Sequence, residues 1–395
     1  MVLFFHYIRR LQQAGYEIFH LLLLEGKSWP QSAVLSYVAE MKRFGQFEVE
    51  VVRSPGFVVH GRAGHRVDQA AFAEASEKAS KAAPDVIVAF DILPAWVTAS
   101  VPTHARLVWL GDLHFQSFFW HAIYAITEDL HALKRLPSAL LACGDWKRIY
   151  RRVLRKADDV IVSSGSSCQQ LARLGIRAKY EPYPWPEAVS QPRDRMPPER
   201  PTFLFFGNLV GLGSRSALHF MVDRVHPRLV AHWGEGGFAI LLAGRGDLPE
   251  WFRRRIADKR EFQVLGFVED IDGVLARCHA MIAPISAPVG NRSRILTAMA
   301  KGALVIAHEK AALGNPALVD GETCYLAADG DGFVKRMRLA VEDRDAARAI
   351  IDRARHCYRS HFHPDVATEK LVERVDWLVA RAAIAKGRPE AQVDP

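Results

Sequence analysis

Two arginines one residue apart, Arg292 and Arg294, stand beside a glycine in the run GNRSRILTAMAKG. The residues after them are apolar at helical spacing, which places the pair where a helix begins. A helix start leaves backbone N–H groups free and favours an anion, and Gly290 removes the Cβ that would block close approach. The planar fork of arginine matches phosphate oxygens and holds its charge, so the chemistry these residues suggest is the grip of a diphosphate. Taken alone, two arginines at a helix start are more often a solvated pair. The elements around them must decide.

A second group lies in RLVWLGDLHFQ, where Asp112 and His114 follow an apolar run that reads as a strand. Open α/β sheets place ligands at the carboxyl ends of their strands. A histidine there can hydrogen-bond a substrate or carry a proton, with a plain loop histidine as the equal alternative. Gly244, Arg245 and Gly246 follow another apolar run in LLAGRG, a pattern that alone marks only a turn.

The elements that must hold these groups are legible as a rhythm. Apolar runs of four to six residues recur, each followed by a polar turn and a helical stretch: YEIFHLLLL, EVEVV, DVIVAF, RLVWL and DVIVSS, then TFLFFG, FAILLAG, FQVLG, AMIAPI and ALVIAH. This is the pattern of parallel β-α-β units, and 395 residues suffice for two doubly wound domains. Between them the proline-rich YPWPEAVSQPRDRMPPERP, residues 183–201, reads as an extended linker. We expect an N-terminal domain over 1–190, a C-terminal domain over 191–362, and a long helix plus frayed tail over 363–395. The opening FFHYIRRLQQAG reads as a helix ahead of a strand, so the first strand of the N-terminal domain, with its Gly-rich loop, is missing from the pattern. A longer native start supplying it is expected.

Composition narrows the partners. Lys and Arg exceed Asp and Glu by 52 to 44, giving a net charge of +8 that favours anions. The basic residues are dispersed and accompany no nucleic-acid-binding motif, which argues against nucleic acid. WKRIYRRVLRK has basic residues around apolar ones at helical spacing. It reads as a solvated helix face or, functionally, as a helix lying on an anionic membrane. Five scattered cysteines without C-x-x-C spacing fit neither a disulfide framework nor a zinc site, and no metal or cofactor is expected. With no leader-like start and no spanning segment, the expected location is cytoplasmic, with peripheral contact at the inner membrane face as an option.

The order of these motifs resembles a known family. FLFFGNLVGLGSRSALHFMVDRVHPRL, LLAGRG, VLGFVEDIDGVLARCHAMIAPI and GNRSRILTAMAKGALVIAH are similar, in sequence order, to the donor-binding domain of GT-B glycosyltransferases of glycosyltransferase family 4. The resemblance implies two Rossmann-like domains facing each other across a cleft. It implies a retaining transferase, moving a sugar from a nucleotide-diphosphate sugar to a glycan or lipid-linked acceptor in polysaccharide synthesis. By the same resemblance, Arg292, Arg294, Gly290 and Gly207 hold the diphosphate, while Gly244, Arg245, Phe267 and Val268 border the base. Asp112 and His114 are the catalytic candidates. Thr297 stands where the family carries a ribose-binding glutamate, and Val289 where it often has a second. The basic residues after the family's first Gly turn are absent, unless Arg215 replaces one. These departures keep two alternatives open: a noncatalytic scaffold derived from a transferase, and a nucleotide-sugar epimerase.

Overall fold

The computed structural model describes residues 2–26, 29–42, 48–61, 64–185, 196–290 and 292–385. Fourteen strands are assigned among them. In the first half these are β1 (Phe19–Glu25), β2 (Glu48–Ser54), β3 (Val58–Gly61), β4 (Gly64–Val67), β5 (Val86–Phe90), β6 (Ala105–Leu110), β7 (Asp159–Val162) and β8 (Lys179–Tyr180). In the second they are β9 (Thr202–Phe206), β10 (Ala239–Ala243), β11 (Phe262–Gly266), β12 (Ala280–Ala283), β13 (Val305–His308) and β14 (Tyr325–Ala327).

The second half forms one six-stranded sheet in the order β11-β10-β9-β12-β13-β14, parallel throughout. Helices cover it, so its central strands are buried end to end. That is why β9 (TFLFF) and β12 (AMIA) read as unbroken apolar runs rather than alternating ones. The strand order reverses between β9 and β12. Such a reversal opens a crevice at the carboxyl ends of the two strands, because their connections leave in opposite directions.

The first half is split. Strands β5-β6-β7-β8 form a parallel sheet, while β1 and β2 form a separate parallel pair. No ladder joins β1 to β5 among the described residues, and five of the seven residues of β1, Phe19 to Leu23, are only partly buried. A doubly wound sheet would place a further strand between these two, and among the described residues none lies there. Helix Val2–Gln13 closes one side of it, with Phe4 and Tyr7 packed on Phe90 of β5 and Trp109 of β6.

The carboxyl ends of the two sheets face each other. Asp112, just after β6, lies against Gly290, which follows β12. Gly165, after β7, donates its N–H to the carbonyl of Gly314 at 3.0 Å. Tyr124 and Ser286 share a 3.2 Å hydrogen bond, and Arg215 forms a two-pronged pair with Glu128. The long helix Pro364–Ala385 packs back on Val2–Gln13 through the Arg10–Glu369 and Tyr16–Asp376 contacts. Leu371, Val375 and Leu378 of this helix are buried, whereas Val366 and Val379 are exposed.

The antiparallel hairpin β3–β4 was not expected, because FVVHG lacks a strong turn dipeptide. The expected domain boundary near residue 190 lies outside the described residues. WKRIYRRVLRK does form part of a helix, Leu136–Leu154, but Ile149, Tyr150, Val153 and Leu154 face the core. Its apolar stripe is therefore not free to enter a membrane. The reason is that the helix packs on the first sheet, which a one-dimensional pattern of apolar spacing does not reveal.

Candidate active site

The crevice between β9 and β12 gathers the arginines. Arg292 adopts a left-handed conformation (φ 59°, ψ 51°) as the N-cap of helix Ser293–Ala300, which turns both guanidiniums back over the strand ends. Arg294 lies across Gly207, where a Cβ would stand 3.0 Å from its Cζ. It also rests on the Phe205 ring at 4.8 Å and donates to Ser214 Oγ at 2.9 Å. Gly207 is in turn covered by Gly244, where a Cβ would fall 1.7 Å from the Gly207 carbonyl oxygen. Only glycine fits there, so LLAGRG is more than a turn: its first glycine lets β10 close over the β9 loop.

Arg292 donates to the Ala287 carbonyl, yet its Nε and Arg294 Nη1 are buried and lack partners among the described residues. A buried guanidinium nitrogen left unpaired is costly, and an acceptor oxygen entering the crevice would satisfy it. Burial pushes both arginines down to about 10, and for Arg294 the neighbouring charge of Arg292 adds to the effect. They remain charged at neutral pH. The arrangement crowds two cations together at the strand ends.

Asp112 faces them from the first domain. A Cβ on Gly290 would stand 2.8 Å from its Oδ1, and the positive φ of Gly290 (+82°) independently disfavours any other residue. The Asp112 side chain opens to the cleft while protein crowds it on most sides, and this burial raises its carboxyl, with Arg292 opposing and Asp91 reinforcing. His114 begins helix His114–Glu128. Its N–H donates to Tyr150 Oη at 3.2 Å, its ring packs edge-on to Trp146 at 4.4 Å, and its Nε2 lies 3.8 Å from Asp91.

The remaining predicted residues fall into two sets. Arg245 sits over the ring of exposed Phe267 at 4.9 Å, with Val268 beside it at the end of β11, on the flank where a base would lie. Arg215 and Thr297 are placed differently from expectation. Arg215 spends its charge on Glu128 across the cleft, at 2.8 and 2.6 Å, so in this arrangement it ties the domains rather than holding a phosphate. Thr297 is buried and accepts from Trp185 Nε1 at 2.9 Å.

Several residues went unread in the sequence. Asp91 ends β5 at φ 88°, a strained conformation for a residue with a Cβ, and accepts from the Ile92 N–H at 2.6 Å. Tyr183, inside the segment read as linker, is buried with its hydroxyl unpaired among the described residues and close enough to feel both Asp112 and Arg292. His60 and His65 of the hairpin, with Asp145 and Trp146, line the region beside His114, and both His60 ring nitrogens lack partners among the described residues. The position of Asp91 at the end of a strand was the available signal. Nothing local marked the hairpin.

Residues 200–343 match the family described as Glycosyl transferases group 1. The chain has the GT-B glycosyltransferase fold. It is similar to a glycosyltransferase from Rickettsia africae ESF-5 (14% identity, TM-score 0.67, covering 95% of this chain and 93% of that chain). It is also similar to Anabaena Alr3699/HepE, solved in complex with UDP (15%, TM-score 0.61, 91% and 100%). A third similar structure is WaaG, a glycosyltransferase involved in lipopolysaccharide biosynthesis (12%, TM-score 0.54, 91% and 99%). No protein of curated function matches the chain in sequence. The matched segment of this GT-B chain contains β9 through β14 and every predicted donor residue, whereas Asp112 and His114 lie outside it.

Proposed function

We propose that the protein transfers a sugar, with retention, from a nucleoside-diphosphate sugar to a glycan or lipid-linked acceptor in cell-surface polysaccharide or glycoconjugate synthesis. One observation carries the reading: two unpaired guanidinium nitrogens at the switch point of the second sheet, opposite a carboxylate and a histidine of the first. Cleaving the sugar–diphosphate bond builds negative charge on the leaving phosphate. Arg294, fixed by Gly207, Phe205 and Ser214, and Arg292, held on the Ala287 carbonyl, would meet that charge without reorganising. Retention rests on the family resemblance, and UDP-sugars are the first donors to test because Anabaena HepE is solved with UDP and with UDP-glucose.

On the acceptor side, His114 is oriented by Asp91 and Trp146. An imidazole there would receive the acceptor proton, or hydrogen-bond the sugar while the leaving phosphate takes the proton. The Asp112 carboxyl, raised by burial, faces the same space and would accept a hydrogen bond from a sugar hydroxyl. Closure of the two sheet edges would exclude water, the competing nucleophile.

Thr297 favours one second reading, a noncatalytic derivative, because its buried hydroxyl offers a ribose less than a carboxylate would. Calorimetric titration of UDP, GDP, ADP and their sugar conjugates separates the two. Micromolar binding of one nucleotide, abolished in Arg294→Ala, together with slow hydrolysis of its sugar conjugate, supports the transferase. Absence of binding to the whole panel overturns it.

A further inference from the structure

The hairpin β3–β4 pairs with no other strand among the described residues. Two strands of four residues are marginal by themselves, so this hairpin owes its place to what it rests on. In its antiparallel register His60 stands opposite His65. Side chains directly opposite share a face, so both imidazoles project from the same side. That side lies on helix Leu136–Leu154: the His60 ring is 5.2 Å from Trp146, and His65 Nδ1 is 3.5 Å from Asp145 Oδ2.

The surface so assembled is rich in buried polar atoms with nothing to bond. Nδ1 and Nε2 of His60, Nδ1 of His114, Nε1 of Trp146 and Oδ2 of Asp145 are all shielded and without a hydrogen bond among the described residues. Trp146 and Asp145 are more than nine-tenths buried, at 4% and 7% exposure. The other oxygen of Asp145 accepts from Arg148 at 2.6 Å. Buried polar atoms are costly when left alone, so a group of them on touching residues of three elements marks a binding site.

Their types select the ligand. The indole N–H can only donate and the carboxylate oxygen can only accept. Burial lowers the His60 pKa, with His65 and His114 adding to the effect and Asp145 opposing, so at neutral pH its ring offers one donor and one acceptor. A hydroxyl does both at once, and neighbouring hydroxyls on a sugar ring fit such a mixture. The apolar side of the ring has cover in Phe118, 5.4 Å from His60, and in Trp96, 5.9 Å from His65. A phosphate fits badly, because the His60 ring is uncharged and the Asp145 carboxylate repels an anion. A metal ion fits no better, since no group of three or more ligating side chains among the described residues is arranged to hold one. The charges acting on His60 are His65, Asp145 and His114, all of the first domain, which sets this cluster apart from the crevice arginines.

We propose that the β3–β4 hairpin and the face of helix Leu136–Leu154 beneath it form a saccharide subsite for the acceptor, which therefore presents a sugar residue to the cleft rather than a bare lipid phosphate. The role of acceptor rests on the transferase reading; the saccharide chemistry rests on the unpaired atoms alone. Trp146 touches both His60 and His114, so a ring held on the hairpin side lies next to the imidazole that would take the acceptor proton. His60 is then a specificity-determining residue, supplied by an element outside both sheets.

The test is a titration of the full chain carrying nitrogen-15 tryptophan, followed at the Trp146 indole resonance, which Trp146→Phe assigns. The probes are the methyl α-glycosides of glucose, galactose, mannose and N-acetylglucosamine, and dodecyl phosphate. At least one glycoside should shift the resonance downfield at millimolar concentration, as the indole N–H gains an acceptor, and dodecyl phosphate should not. His60→Ala should weaken that glycoside about tenfold, the loss of one or two neutral hydrogen bonds, and His60→Gln, which keeps a donor and an acceptor, should restore most of it. No response to any glycoside up to about 100 mM overturns the proposal. So does a response to dodecyl phosphate at lower concentration, or a glycoside response as strong in His60→Ala as in the wild type. Melting curves check the fold of each variant, and the wild-type titration decides by itself if the alanine variant does not fold. Calorimetric titration with UDP is read separately: glycoside binding without nucleotide binding would remove the transferase reading and leave the saccharide site, and nucleotide binding alone would do the reverse.

Discussion

Replacing Arg294 by methionine should make the empty protein more stable and the site blind to nucleotide. Burial and the charge of Arg292 lower its guanidinium to about 10, which corresponds to about 3 kcal/mol of disfavoured charge at most. Against this, methionine gives up the Ser214 hydrogen bond, about 1 kcal/mol, and the contact of charge with the Phe205 ring, about 1 kcal/mol. Its thioether chain still covers Phe205. The difference leaves about 1 kcal/mol of net stabilisation, or a rise of about 2–4 °C in the melting of a domain this size. Nucleotide binding moves the other way. Loss of charge-assisted bonds to a phosphate removes about 3 kcal/mol, a weakening of roughly 150-fold. Differential scanning calorimetry reads the first quantity and isothermal titration with UDP or the nucleotide found to bind reads the second. A melting temperature that falls by several degrees while affinity stays within threefold would refute the reasoning, because Arg294 would then be a structural residue whose charge the fold needs.

Other outcomes follow from single residues. Burial holds His308 down to about 4, with Lys310 and Arg292 adding repulsion, so the unfolded chain takes up the proton first as pH falls. Stability should be level above pH 6.5 and drop by up to about 3 kcal/mol toward pH 4, and denaturant titrations of His308→Gln should show a flatter profile. Gly290→Ala combines a strained φ with a Cβ 2.8 Å from Asp112, so we expect about 1–2 kcal/mol of destabilisation and a collapse of kcat, checked by melting and by donor hydrolysis. Glu128→Gln removes the tie to Arg215 and His219 and should enlarge the radius of gyration in solution scattering; an unchanged radius would show that the other contacts hold the cleft closed. Asp91→Ala frees the His114 ring and the start of helix Ile92–Val97, with an expected 10- to 100-fold loss of kcat at constant nucleotide affinity in a single-turnover assay.

Much of the second domain was readable because its chemistry is local. Its central strands are buried on both faces and so appear as apolar runs, and the arginines sit within a few residues of the helix start. The first domain was less readable. Its hairpin is four residues a side, its sheet is interrupted, and the Tyr183 segment is rich in prolines that read as linker. Arg215 illustrates the limit most clearly, since its partner Glu128 is 87 residues away and no spacing rule connects them.

What the sequence determined by itself was the alternation of strand and helix and the α/β class, together with the residue types from which a diphosphate site is proposed. These depend on periodicity and residue type, which the chain carries in one dimension. Tertiary structure decided which of those groups share a site. It set Asp112 against Gly290 and left two guanidinium nitrogens unpaired. It also buried one face of the basic helix while leaving Leu140 and Leu141 in water. Those outcomes turn on how two sheets meet edge to edge, and contacts between residues scores of positions apart are fixed only when the whole chain has packed.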